Sequence, residues 1–97
     1  MTTAYRPLFK LGKCAMTHNA QSYLAECSLN PEVLLRRHAS GDWGDIPEED
    51  GMANEQAVKS GGKILSGYVI CGNMVYVFTA QLPDRERRTV IALPGEN

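Results

Sequence analysis

No apolar run in this chain approaches the roughly 20 residues that a membrane-spanning helix needs. The longest, around Val69 and Val75, are broken by Cys71-Gly72-Asn73, and Met1 to Arg6 holds no apolar stretch of a leader peptide. Export and membrane insertion are therefore not expected, and the expected localisation is cytoplasmic. Cysteine is scarce. Cys14, Cys27 and Cys71 are odd in number, lack C-x-x-C spacing and read as buried small hydrophobes in a reducing compartment. Histidine is scarcer: His18 and His38 stand far apart and make no zinc spacing with the cysteines. No phosphate-binding loop occurs, because Gly12, Gly61-Gly62 and Gly67 fit neither G-x-x-x-x-G-K-[ST] nor a strand-linked G-x-G-x-x-G. Gly41-Asp42-Trp43-Gly44-Asp45 offers two carboxylates but not the alternating oxygen ligands of a calcium loop. Neither catalytic residues, metal nor cofactor is expected, and the chain reads as a non-enzyme.

What is present fits one globular domain spanning residues 1–97, with 1–6 and 95–97 expected to be flexible. Ninety-seven residues suffice for one core, and the nine glycines and five prolines are scattered instead of gathered into a linker. The net charge of −1 conceals an uneven distribution. Asp42, Asp45, Glu48, Glu49, Asp50 and Glu55 fall within one segment that has no Lys or Arg, while the other 83 residues carry ten bases and five acids. Such asymmetry bears on partners, not on fold.

Leu8 to Gly12 reads as a first strand, extending towards Ala15. Thr17 is placed to cap a helix bearing Ala20, Tyr23, Leu24 and Cys27 on one face. Asn30-Pro31 is a cap followed by proline at the first helical position, opening a helix with Val33, Leu34, Leu35 and His38 that stops at Gly41. His38 reads as a dipole partner or half-buried packing residue, and Arg36 and Arg37 as solvated dipole partners. A third helix is expected from Asp45, with Glu48 completing a capping box, through Ala53 and Ala57 to Gly61-Gly62. From Lys63 the period changes to two. Ile64 to Cys71, Met74 to Gln81 and Arg88 to Leu93 read as strands, with a tight turn at Gly72-Asn73. The expected fold is α+β: three short helices packed on one face of a three- or four-stranded antiparallel sheet, in the order β-α-α-α-β-β-β.

The segment Leu34 to Asp45, containing Gly41-Asp42-Trp43-Gly44-Asp45 and followed by Glu48-Glu49-Asp50 and Asn54, resembles a family of small proteins carried on bacterial plasmids, prophages and other mobile elements. The likeness runs from Phe9 to Glu96 and includes Gly62 to Tyr68 and Thr89 to Pro94. One departure is Gln81 to Arg88, which is longer than the short acidic turn of the family and contains Arg85, Arg87 and Arg88. Length, acidic segment and setting are also similar to those of anti-CRISPR proteins, in particular the DNA-mimicking inhibitors of the type I-F surveillance complex. That resemblance implies a protein partner, a nucleic-acid-binding host defence complex, contacted through Asp42, Asp45, Glu48, Glu49, Asp50 and Glu55, without small molecule, membrane or direct nucleic-acid contact.

Two physical readings of the acidic segment compete. Asp45, Glu48, Glu49 and Asp50 at a helix start are favoured by the macrodipole, about 0.3 to 1 kcal/mol each. Capping does not account for Asp42 and Glu55. Carboxylates presented to a basic groove would bind as phosphates do; Glu48 and Glu55 lie about 10 Å apart along a helix, so mimicry needs further acids such as Asp42, Glu32 or Glu26 nearby. Trp43 is expected to bridge two helices onto the sheet. The alternative function is a small nucleic-acid-binding module using a basic sheet edge, Lys10, Lys13, Arg85, Arg87 and Arg88, with Tyr68, Tyr76 or Phe78 for stacking.

Overall fold

The computed structural model describes residues 7–96. Its elements are β1 (Lys13–Met16), α1 (His18–Glu26), α2 (Pro31–Ala39), α3 (Glu48–Ser60), β2 (Ile64–Ile70), β3 (Asn73–Gln81) and β4 (Arg87–Ala92). The class and element order are those expected, three helices against a four-stranded sheet ordered β1-β4-β3-β2. One strand pair differs. β1 runs parallel to β4, with Lys13 opposite Arg88 and Met16 opposite Ile91, so the sheet is mixed and not wholly antiparallel. The first and last strands share no hairpin, so no local turn fixes their relative direction.

The helix ends follow side-chain chemistry. Thr17 Oγ1 accepts from the Ala20 N–H at 3.1 Å, and Asn30 Oδ1 accepts from the Glu32 N–H at 2.9 Å. Both α1 and α2 span nine residues, too short to persist alone in water. Packing holds them: Ala20, Leu24 and Leu34 close on Tyr68, Val75, Val77 and Ile91 of the sheet, and each large apolar side chain removed from water contributes about 1.5 to 3 kcal/mol. A second, smaller cluster joins Phe9, Ala57 and Ile64, with Trp43 and Val58 against it.

Several local expectations shift. Leu8 to Gly12 is not strand: the Leu8 N–H bonds the Ala39 carbonyl at 2.7 Å and Phe9 enters the second cluster, delaying β1 to Lys13. The hairpin turn sits one residue earlier, at Cys71-Gly72, where both residues have positive φ (51° and 86°) as the twist of a two-residue hairpin requires. The cysteines are not buried. Cys14 lies exposed on edge strand β1, Cys71 is exposed in the turn, and Cys27 is half-buried at the end of α1. Residues 1–6 and 97 of the expected flexible ends lie outside the described residues, whereas Glu96 is anchored, its carboxylate accepting from Thr17 Oγ1, Asn19 Nδ2 and the Leu93 N–H at 2.7 to 2.9 Å.

Candidate functional site

The Gly41–Asp45 motif builds a strap along the free edge of β2. In an edge strand every second residue turns its N–H and C=O away from the sheet, and those groups template unwanted pairing unless they are covered. Here the outward residues are Leu65, Gly67 and Val69. The Gly67 N–H donates to the Trp43 carbonyl at 3.1 Å, and its own carbonyl accepts from the Asp45 N–H at 2.6 Å. The Asp45 carboxylate accepts from the Val69 N–H at 3.1 Å. Asn54, on α3, completes the cover with its side-chain amide: Oδ1 accepts from the Leu65 N–H at 2.9 Å and Nδ2 donates to the Leu65 carbonyl at 2.6 Å.

The motif residues are accounted for one by one. Gly44 has φ +78°, and a Cβ there would collide with the Gly67 carbonyl oxygen and the Tyr68 ring, so only glycine lets the strap lie against the strand. Asp42 accepts from Arg37 Nε at 2.7 Å and from the Gly44 N–H at 3.2 Å, while its own carbonyl receives the Tyr68 hydroxyl at 2.6 Å. The Arg37 hydrogen bond holds the Asp42 carboxyl below its usual range. Burial pushes the Tyr68 hydroxyl up to about 12, so it stays a donor. Arg37, read from sequence as a solvated dipole partner, is clamped between Asp42 and the Tyr68 face, 4.4 Å from the ring centroid. Trp43 packs beside Phe9 and His38, with ring centroids 6.4 and 6.0 Å away, and against the second cluster with Ala57 of α3 and Ile64 of β2, so it stands between two helices and the sheet.

Two expectations fail at this segment. The third helix begins at Glu48 and not at Asp45; Pro47 occupies the cap position and no side chain caps the helix. Asp45 cannot close a capping box because its carboxylate is committed to β2. His38 is fully buried instead of half-buried. Its Nδ1 lies 2.6 Å from Ser66 Oγ and its Nε2 2.9 Å from Thr79 Oγ1. Thr79 Oγ1 is 2.7 Å from Thr89 Oγ1, and the Thr89 hydroxyl donates to the Leu11 carbonyl at 2.7 Å. Each hydroxyl has one proton, so the order is set from the far end: Thr79 donates to Thr89, and His38 Nε2–H donates to Thr79. Desolvation lowers the ring's pKa to about 4, so at neutral pH it is uncharged and Nδ1 accepts from Ser66.

The acids separate into three groups, with Asp42 shared by two of them. Asp42 and Asp45 bind their own chain, and Glu49 and Asp50 are exposed in the first turn of α3. Asp42, Glu48 and Glu55 line one open groove of about 650 Å3 between the strap and α3. Its apolar surface comes from Trp43, Ile46, Pro47 and Met52, the last 64% exposed. Of the further acids that mimicry requires, the groove gathers Asp42 but not Glu32 or Glu26; Glu32 pairs with Arg36 at 3.5 Å. Met52 and Ile46 escaped sequence reasoning, although Glu48, Met52 and Glu55 at i, i+4 and i+7 share a helical face.

The residues of the alternative reading divide between the two sides of the sheet. Tyr68 is buried on the helix side, and the Arg87 guanidinium lies 5.4 Å from the Phe9 ring centroid, donating to the Val58 carbonyl at 3.4 Å. Tyr76 and Phe78 are half-buried on the opposite side of the sheet. Among the described residues no group of three or more His, Cys, Asp or Glu is placed to hold a metal ion, and no helix is long and apolar enough to cross a membrane. The chain matches no family model, no curated protein and no solved structure.

Proposed function

We propose that this protein is a non-enzymatic binding protein that docks onto a basic protein surface through the groove between the strap and α3. The observation that supports this most is the convergence of Asp42, Glu48 and Glu55 around the exposed Met52 and the half-buried Trp43. An aromatic and apolar floor with carboxylates at its rim suits arginine and lysine side chains, whose stems pack while their charges pair. The commitment of both His38 nitrogens to buried hydroxyls supports our reading of this residue as non-catalytic.

The partner class follows from the charge and from the sequence resemblance: a nucleic-acid-binding host defence complex, with the type I CRISPR surveillance complex as its proposed member and a mobile element as the proposed source of the protein. Occupying a groove built for phosphates would exclude DNA from it. Capture of the purified type I-F complex on immobilised protein tests this. The wild type should retain the complex and release it as salt rises, because exposed charge contacts are screened over about 10 Å at 0.1 M. Failure to retain any type I complex, with the protein folded, would overturn the assignment of the partner.

A further inference from the structure

The helices occupy one face of the sheet, and the other face has a chemistry of its own. Strand alternation places Leu65, Val69, Tyr76, Phe78 and Val90 on the helix-free side, all half-buried or exposed. Tyr76 and Phe78 stand two residues apart on β3, a central strand. The charged residues of this side are Lys13 and Arg88, which face each other across β1 and β4, and Lys63, whose Nζ lies 4.8 Å from the Phe78 ring centroid. None of the four strands contains an acid. Lys13, Lys63 and Arg88 thus supply the charge that the strands and their flank give this face.

We infer that this face binds single-stranded nucleic acid, with bases stacked on Tyr76 and Phe78 and phosphates held by Lys13, Lys63 and Arg88. Two residues along a strand span about 7 Å, twice the about 3.4 Å advance of stacked bases. Each ring therefore takes its own base only from a strand whose bases are splayed, which excludes a duplex. A second copy of the chain suits the face poorly. A two-fold interface sets each patch against itself, so Lys13, Lys63 and Arg88 would meet cations with no acid of the strands to pair them. The face meets the groove proposed for protein docking at Ile46, which approaches Gly67 beside Tyr76, but Tyr76, Phe78, Lys13, Lys63 and Arg88 do not line the groove, so variants at those five test the face separately from that proposal.

Fluorescence anisotropy with an end-labelled oligothymidylate of about 15 nucleotides tests the inference, with the matching duplex as comparison. The single strand should bind with an affinity that falls as salt rises, and Arg88→Gln should lower the slope of log K against log salt by about 0.7. Tyr76→Leu and Phe78→Leu keep an apolar side chain but remove the stacking ring, and each should weaken binding by roughly tenfold or more. Arg85→Gln, in the turn outside this face, should change affinity far less than Arg88→Gln. Equal binding of duplex, affinity untouched by both leucine variants, or no binding at low salt would each overturn it. So would a dimer in sedimentation that Val69→Lys dissociates, which would give the face to a second copy.

Discussion

Acidification from neutral pH to about pH 5 should weaken this fold through one residue, His38. The unfolded ring titrates near its ordinary value of 6.5, whereas the folded ring, desolvated between Ser66 and Thr79, titrates at about 4. Between those values the unfolded state binds the proton and the folded state does not, so stability is full above 6.5 and falls as pH drops towards 4. At 1.36 kcal/mol per unit the whole window is worth about 3 kcal/mol, of which about 2 kcal/mol is lost by pH 5. That is a large share of the 5 to 15 kcal/mol typical of a small domain. Urea titrations at the two pH values measure it, and an m-value of about 1 to 1.5 kcal/mol/M turns the loss into a midpoint lower by more than about 1 M. Asp42 and Glu96, whose carboxyls titrate below their usual values, act at still lower pH. His18 is exposed and His18→Gln should retain the full effect. An unchanged midpoint between pH 7 and about pH 5, or a loss that persists in a folded His38→Gln variant, would refute the buried neutral ring.

The strap supplies three further predictions. Asn54→Ala removes both bonds to Leu65 and leaves that backbone unpaired, costing about 1 to 3 kcal/mol and lowering the melting temperature by roughly 10 °C. Gly44→Ala forces a Cβ into the Gly67 carbonyl at positive φ and should cost more than about 2 kcal/mol by chemical denaturation. Trp43→Ala should lower stability by about 2 kcal/mol, less than the 3 to 5 kcal/mol of a fully buried large aromatic; a variant that melts normally yet fails to bind a partner would make Trp43 a contact and not a packing residue.

Much of the architecture is legible in the sequence where a local rule acts alone. Thr17, Asn30-Pro31 and Gly61 mark helix ends that the structure reproduces, and the period-two runs after Lys63 become the β2–β4 meander. Long-range use of a residue is what local rules miss. Asp45 has the spacing of a cap but bonds Val69, 24 residues away. The third helix is expected to run through Ala53 and Ala57, yet it is Asn54 that is buried, because it pairs with a strand edge, and Ala53 is exposed. The parallel β1–β4 pair joins residues more than 70 positions apart. The acidic segment itself was visible as charge, but its division into strap acids, Asp42 and Asp45, and groove acids, Glu48 and Glu55 with Asp42 at the rim, appears only when β2 supplies the partners.

The proposal that the groove carries the partner contact is tested most directly by the pair Glu48→Lys and Glu55→Lys combined in one protein. Asp42 is left intact because it holds Arg37 and the strap, whereas Glu48 and Glu55 are exposed; Glu55→Lys should change stability by about 0.5 kcal/mol or less, and Glu48→Lys, in the first turn of α3, should cost about 1 kcal/mol through the helix dipole. The measurement is binding of labelled target DNA to the purified type I-F surveillance complex, with increasing wild-type or doubly reversed protein, both checked by circular dichroism. Wild type should displace the DNA, and the reversed protein should fail to do so at any concentration tested. Equal displacement by a folded reversed protein would contradict the groove as the site of contact.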